Sequence, residues 1–362
     1  MIIYFIVTND LSYDQRMIRI ATSLSNAGYT IKLVGRELKS SIPLQQQPFS
    51  QKRIMCLFEK GKLFYGEYNI RVFFYLLFKK IGCICAIDLD TILPCYFISG
   101  IKKIPRVYDA HELFCGMKEV VSRPNIYKAW KKIEKYLVPK FLNGYTVSKP
   151  IADEFEKMYK VKYEVIRNVT LKKDIEIPEK KDKYVLYQGA VNEGRSFETI
   201  IPAVKFVNAP LIICGDGNFL NQAKHLVSEN ELNDKIIFKG YLPPEELQNY
   251  TLNAWIGINL LDIKGLNNFY SLANRFFDYM HAAVPQLCID LPAYREINEQ
   301  FEIAVLISDL SPENIAKQTN ILLEDEDLYQ RLQQNCMRAK EIFNWQNEEK
   351  KLISFYKKLI IN

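Results

Sequence analysis

Short apolar runs alternate with amphipathic stretches through the first half of the chain. IIYFIVT is followed by QRMIRIATSLSNAG, whose helix-like pattern ends at Gly28, then by TIKLVG, and later by CICAID, PRVYDAHE and NGYTVSK. Strand-like runs separated by helix-like ones predict a parallel sheet with helices on both faces. The segment LKKDIEIPEKKDK at 171–183 is polar, holds a proline and reads as a linker. The rhythm then restarts with KYVLYQGA, APLIICGDG, KIIFKGY, AWIGINLL, VPQLCID and IAVLIS, with helical segments between them, which predicts a second doubly wound domain. From about Asp327 to Ile361 the pattern is helical, with apolar positions at Leu328, Leu332, Ile342, Phe343, Leu352, Phe355 and Leu359. The chain therefore reads as α/β, with one doubly wound domain over 1–170 and another over 171–340. The helical C-terminus is expected to clamp the two domains.

Composition narrows the class. Of 362 residues, 48% are apolar and 25% charged, with no low-complexity tract, which excludes a disordered or fibrous chain. The opening MIIYFIVTNDLS lacks a basic leader and a small-residue cleavage site, so it reads as a first strand and the protein is expected in the cytoplasm. The longest apolar runs, Val72 to Phe78 and Ile81 to Ile87, are separated by Lys79 and Lys80. Both fall short of the roughly 20 residues of a spanning helix. The eight cysteines form no CxxC pair and sit mostly in apolar segments, as small core residues do. Residues 1–170 hold 27 Lys+Arg against 15 Asp+Glu, a balance of +12, whereas the rest of the chain is at −6. A sign difference of this kind points the first half toward an anionic partner, with a merely solvated basic surface as the alternative.

Three stretches carry candidate chemistry. In YQGAVNEGRSFETII, 187–201, a strand ending at Gly189 leads through Asn192 into a helix near Arg195. Such a turn aims backbone N–H groups and a positive helix end at an anion, and Arg195 adds paired donors for a diphosphate. CGDGNF places Gly215, Asp216 and Gly217 at a second strand end, and KIIFKGY places Gly240 and Tyr241 at a third. Carboxyl ends of strands line the ligand crevice of a doubly wound sheet. In FYSLANRFFDYMHAAVPQLCID, 269–290, a helix beginning near Ser271 or Leu272 sets Asn274 and Asp278 on one face beside Arg275. A carboxylate among Phe276, Phe277, Tyr279 and Met280 needs a polar partner, which ribose hydroxyls would supply.

In order along the chain, VTNDLSYDQRMIRIATSLSNAGYTI, AIDLDTILPCY, RVYDAHELF, YTVSKPIADEF, VIRNV, YQGAVNEGR, IICGDG, IIFKGYLPPEEL, SLANRFFDYM and FNWQNE resemble the GT-B-fold retaining glycosyltransferases of family 4. The resemblance implies two Rossmann-like domains facing across a cleft, with the C-terminal helix, 341–362, returning to the first, a nucleoside-diphosphate sugar such as a UDP- or GDP-sugar as donor, and no metal cofactor. It puts Arg195 at the donor diphosphate and Asp278 at the ribose hydroxyls. The family's acidic pair would place its first member at Tyr270, so Tyr270 and Ser271 would serve through backbone groups. Ala190 stands where a second basic residue often follows the glycine, and Arg275 would supply that charge. His111 matches the histidine that contacts the donor sugar near the reacting carbon. Asp109 and Glu112 flank it in the cleft on the acceptor side, and Asp14 and Arg16 match positions near the acceptor. His225 and His281 read as structural. Asp88 and Asp90 read as cleft or turn residues without metal.

Between Phe49 and Lys80, bases interleave with Phe, Tyr and Leu. The pattern suits both the interface of an anionic bilayer and a buried amphipathic helix. No nucleic-acid-binding module is visible. The expected function is sugar transfer to a hydroxyl of a glycan or lipid-linked acceptor in cell-surface polysaccharide synthesis, in the cytoplasm or peripherally at the membrane. The alternatives are a catalytically silent nucleotide-sugar-binding protein and a sugar-nucleotide epimerase of the same fold.

Overall fold

The structure, a computed structural model, describes residues 1–12, 14–179, 181–263 and 265–361; Tyr13 and Lys180, the latter in the expected linker, lie outside the described residues. The chain divides into two compact units, Met1–Asn168 with Glu348–Asn362, and Val169–Asn347.

The first unit runs β1 (Ile2–Ile6), α1 (Gln15–Asn26), β2 (Thr30–Glu37), β3 (Ser50–Met55), α2 (Gly61–Leu77), β4 (Cys83–Ile87), α3 (Ile92–Lys102), β5 (Arg106–Ala110), α4 (Lys118–Val121), α5 (Pro124–Leu137), β6 (Asn143–Thr146), α6 (Lys149–Tyr159) and β7 (Glu164–Val165). Among the described residues its sheet has seven strands, all parallel, in the order β3-β2-β1-β4-β5-β6-β7. Strands covered on both faces read as continuous apolar runs, as in β4, where all of CICAI is buried.

The second unit runs β8 (Asp182–Gln188), α7 (Phe197–Val204), β9 (Leu211–Cys214), α8 (Leu220–Glu229), β10 (Ile236–Gly240), α9 (Pro244–Asn253), β11 (Ala254–Asn259), α10 (Leu266–Phe269), α11 (Asn274–His281), β12 (Gln286–Ile289), α12 (Pro292–Phe301), β13 (Ala304–Ile307), α13 (Pro312–Glu324) and α14 (Glu326–Ile342). Its six described strands are parallel in the order β10-β9-β8-β11-β12-β13. In both sheets the order reverses beside the first strand, between β1 and β4 and between β8 and β11, and a doubly wound sheet opens its ligand crevice at such a point.

A final helix, α15 (Trp345–Ile361), starts in the second unit and counts with the first from Glu348 onward. Leu352, Phe355 and Tyr356, spaced i, i+3, i+4, are buried, and the two rings meet Phe5 and Tyr145 of the first sheet edge-on. Ser23 donates to Glu349 at 2.8 Å and Lys358 pairs with Glu164 at 3.0 Å.

Several elements differ from the sequence reading. β3 and the two-residue β7 carry too few apolar positions to announce themselves. The helix expected near Arg195 begins at Phe197, after Ser196 in a left-handed conformation (φ 57°), and the helix expected from Ser271 or Leu272 begins at Asn274. The segment 49–80 is neither a surface helix nor a fully buried one. On α2, Phe64, Tyr68, Val72 and Leu76 are buried at i, i+4 spacing while Ile70 and Phe74 stay exposed. No helix among the described residues is long and apolar enough to cross a membrane.

Candidate functional site

In the second unit the first two strand-to-helix turns are bolted together. A Cβ on Gly215 (φ 153°) would lie 1.8 Å from the Gly189 carbonyl oxygen, and one on Gly217 would lie 2.3 Å from that of Val191. The close approach these glycines permit is therefore to the neighbouring turn, which corrects the expectation that they open the backbone to a ligand. Gly215 N–H donates to Gly240 at 2.7 Å, bringing in the end of β10. The same packing narrows the expected amide cradle. N–H groups of Gly189, Val191, Glu193 and Arg195 donate to Cys214 O, Asp216 O, Asn218 Oδ1 and Asn192 O, so the strand-to-helix turn uses these donors internally. The Arg195 side chain is half-buried in this turn, and Asp262 N–H donates to Gly194 O at 2.8 Å, tethering the loop that leads to Tyr270. Asp216 and Tyr241 are exposed.

At the switch point itself lies Arg275. Placed in the first turn of α11, it is only 8% exposed, and its guanidinium stacks 4.4 Å from the Tyr187 ring centroid. A Cβ on Gly189 would stand 3.7 Å from its Cζ, so the glycine leaves the guanidinium face uncovered. Among the described residues, buried Nη1 has no hydrogen-bond partner. Nearby, Ser271 Oγ also lacks a partner among the described residues, and the fully buried Asn259 amide makes no hydrogen bond of full geometry, with only weak contacts to the Cys288 thiol and the Tyr294 hydroxyl. Asn259 ends β11 beside Cys288, and the Arg275 charge reaches both Cys288 and Tyr294. Tyr294 Oη accepts from Ala273 N–H at 3.0 Å, which fixes the start of α11. A buried polar atom without a partner is costly, and a cluster of them at a strand end marks a crevice suited to a polar ligand.

Asp278, one turn further along α11, is already engaged. Its Oδ1 accepts from Thr170 Oγ1 at 2.7 Å and its Oδ2 from Gln188 Nε2 at 3.1 Å, while Gln188 Oε1 accepts from Thr251 at 2.7 Å. The carboxylate among aromatic residues thus finds its partner inside the protein, which corrects the inference that it requires ribose. Asn274 is exposed at the helix start, and Tyr270 is half-buried.

In the first unit the ends of β4 and β5 meet. Asp88 adopts φ 56°, a conformation unusual for a non-glycine residue, and its Oδ1 accepts from the N–H groups of His111 at 3.0 Å and Glu112 at 3.3 Å. Its Oδ2 lies 3.8 Å from His111 Nδ1. Asp88 therefore shapes the loop that carries His111. Burial, then the Glu112, Asp90 and Asp109 carboxylates, push the Asp88 carboxyl well above the usual range. Burial and the Arg16 cation push His111 down, which holds its imidazole neutral at ordinary pH. Asp90 accepts from Thr8 Oγ1 at 2.6 Å and is pushed up to about 6 by burial.

The expected acceptor-side residues separate into different roles. Arg16 and Asp109 form a bidentate ion pair, both contacts 2.6 Å, with Asp109 fully buried. They hold α1 to the end of β5. Asp14 caps α1 by accepting from Met17 N–H. Among the groups at these strand ends, Asn259 and Asp88 were not singled out as binding residues by the sequence reading. An Asn inside the apolar run AWIGINLL was the available signal for the first.

Residues 169–338 match the family described as Glycosyl transferases group 1. No curated protein matches the chain in sequence. Among solved structures, the chain is similar to sucrose-phosphate synthase from Thermosynechococcus elongatus, with 15% identity, a TM-score of 0.82 and coverage of 100% of this chain and 99% of that one. It is similar to Anabaena HepE in complex with UDP-glucose, with 12% identity, a TM-score of 0.74 and coverage of 99% and 100%. It is also similar to WaaG, a glycosyltransferase involved in lipopolysaccharide biosynthesis, with 12% identity, a TM-score of 0.69 and coverage of 97% and 98%. At these identities the likeness is one of fold, and the fold is the pair of parallel-sheet Rossmann-like units of GT-B glycosyltransferases.

Proposed function

We propose that this chain is a glycosyltransferase that moves a sugar from a nucleoside-diphosphate sugar to an acceptor hydroxyl, with retention at the anomeric carbon. The observation that carries the reading is Arg275, a buried guanidinium with an unpartnered Nη1 beside Gly189 at the switch point of the unit that matches the group 1 family. A diphosphate is the natural partner for such a group, because a guanidinium meets phosphate oxygens with paired donors. HepE, similar in fold, was solved with UDP-glucose, which supports a donor of that class here.

As the bond from sugar to diphosphate breaks, negative charge grows on the leaving phosphate. Fixed cations that interact more strongly with that charge than with the bound donor lower the barrier. Arg275 and Arg195 take this role, and no metal is invoked. Asp278, while holding Thr170 and Gln188, also accepts from ribose hydroxyls. Neutral His111, oriented by Asp88 through the loop backbone, offers a hydrogen bond to the sugar without adding a third cation. The leaving diphosphate accepts the acceptor's proton, since none of these residues is assigned as a covalent nucleophile.

The test is to follow the intact protein with UDP- and GDP-sugars, reading thermal stabilisation and release of the nucleoside diphosphate. Stabilisation by one nucleotide and consumption of its sugar are expected, and His111→Ala should lower turnover more than nucleotide affinity. Absence of both stabilisation and consumption across the donors would overturn the reading. Binding without consumption would favour a silent nucleotide-sugar-binding protein, the alternative that Tyr270 in place of an acidic residue leaves standing.

A further inference from the structure

One large cavity in the first unit lies outside the strand-end residues described above. It is a groove of about 1210 Å³ lined by α2, α3, α4 and α5, predominantly by carbon. Each of the longer helices gives it a stripe. Tyr65, Ile70, Phe73 and Phe74 come from α2, Leu93, Phe97 and Ile101 from α3, and Ile126, Trp130 and Ile133 from α5. Helix α2 is the telling element. Its Phe64, Tyr68, Val72 and Leu76 are buried, so a single amphipathic stripe would be enough to hold it. It carries a second apolar stripe instead, and Ile70 and Phe74 on it are 59% and 57% exposed. Phe97 and Ile101 opposite are likewise exposed. Soluble proteins rarely present such a contiguous apolar surface without an occupant.

Shape and charge choose the occupant. Lining positions on α2 run from Gly61 to Phe74, about 20 Å along a helix rising 1.5 Å per residue. That length accommodates an extended hydrocarbon tail. Charged residues at the groove are Lys62 and Arg123 against Glu119, within a half of the molecule whose balance is +12. Asn69 lines it too. Its Nδ2 donates to Asp90 O at 2.9 Å, and its buried Oδ1 has no partner among the described residues. The groove thereby connects to the end of β4, and Phe114 and Met117, also in its lining, follow His111 by a few residues.

We propose that this groove holds the hydrocarbon tail of an amphiphilic acceptor bearing an anionic head, so that the substrate class is a lipid-linked phosphate that carries the acceptor hydroxyl on its head. The proposal rests on the transferase reading above for its claim that the bound lipid is substrate. It assigns Gly66 a part. A Cβ built there meets nothing within 4 Å, because the residue faces the open slot from the middle of α2. A larger side chain at this position fills the slot without colliding with the fold.

The probe is dodecyl phosphate brominated on its chain, used below its micelle concentration, with quenching of Trp130 fluorescence as readout and Trp130→Phe as the control for position. Saturable quenching is expected in the wild type. Gly66→Phe should weaken it at least tenfold with an unchanged melting temperature, and Phe74→Glu should weaken it similarly. Nucleotide binding by the second unit should be the same in all of them. No quenching by the monomeric amphiphile, or equal quenching in Gly66→Phe, overturns the proposal. So does competition by inorganic phosphate as effective as that by unbrominated dodecyl phosphate, since the head alone would then be recognised. Binding to phosphatidylglycerol vesicles without binding of the monomer overturns it in favour of a bilayer surface. Quenching that behaves as expected in a protein that responds to no nucleotide sugar removes the substrate claim, and identifies the transferase reading as the part that failed.

Discussion

Arginine 275 sits where its chemistry is least comfortable without a ligand. Stacking on Tyr187 compensates part of the desolvation, but Nη1 stays unpaired. A residue retained for stability would be improved by closing that deficit, whereas a residue retained for binding would not. Arg275→Met keeps much of the apolar stem and removes the buried charge. It should leave the melting temperature unchanged or raised while weakening UDP binding at least tenfold, about 1.4 kcal/mol. Isothermal titration and thermal melts of the same samples check both halves. A variant that melts lower and binds UDP as before would make Arg275 structural. The neighbourhood of this residue was partly legible from sequence, because Gly189 and Arg275 belong to ordered motifs. Asn259 was not singled out, since an Asn in a strand is ordinary until its burial and its lack of a full hydrogen bond are known. Asp278 misled for a related reason. Thr170 lies 108 positions away, and no periodicity announces a hydrogen bond at that separation.

At the level of elements, the turns after β8 and β9 act as one rigid part, and glycine is its enabling residue. At Gly215 a side chain meets both a positive φ of 153° and the Gly189 carbonyl 1.8 Å from its Cβ. Backbone cannot yield as a flexible side chain does, so Gly215→Ala must displace one turn from the other. The expected cost is about 2 to 4 kcal/mol, among the larger single-residue effects. Urea denaturation of the variant checks it, and a loss below about 0.5 kcal/mol would show that the turns are not locked. The sheets were readable because strands covered on both faces leave apolar runs that stand out against charged helices. Helix starts were less readable. Ser196 enters α7 from a left-handed conformation and α11 starts after Ala273, so neither start carries a side-chain cap that sequence could mark. Helix α2 could be read either as buried or as interfacial, because two apolar stripes on one helix blur its period.

Across the whole molecule, one buried cation gives the pH dependence of stability a part that can be separated from the rest. Lys181, 5% exposed, donates to the carbonyls of Ala282 and Ala283 at 2.7 and 2.9 Å, and burial pushes its pKa down to about 7. In the unfolded chain such a group titrates near roughly 10.4. Between these two values the unfolded state binds more protons than the folded one, so stability rises with pH, by at most about 1.4 kcal/mol per unit. Below about 7 both states are protonated and the cost of the buried ammonium is fully present. Over the same range the seven buried cysteines, all pushed up by burial, oppose this slope, because the folded state holds protons that the unfolded state gives up. The cysteines act alike in the wild type and in Lys181→Met, so the difference between the two from about pH 7 to about pH 8.5 isolates Lys181. Over that window the wild type should gain on the order of 1 to 2 kcal/mol relative to Lys181→Met in urea denaturation. Parallel pH profiles in the two proteins would show that Lys181 loses no proton over this range and stays charged in the native state.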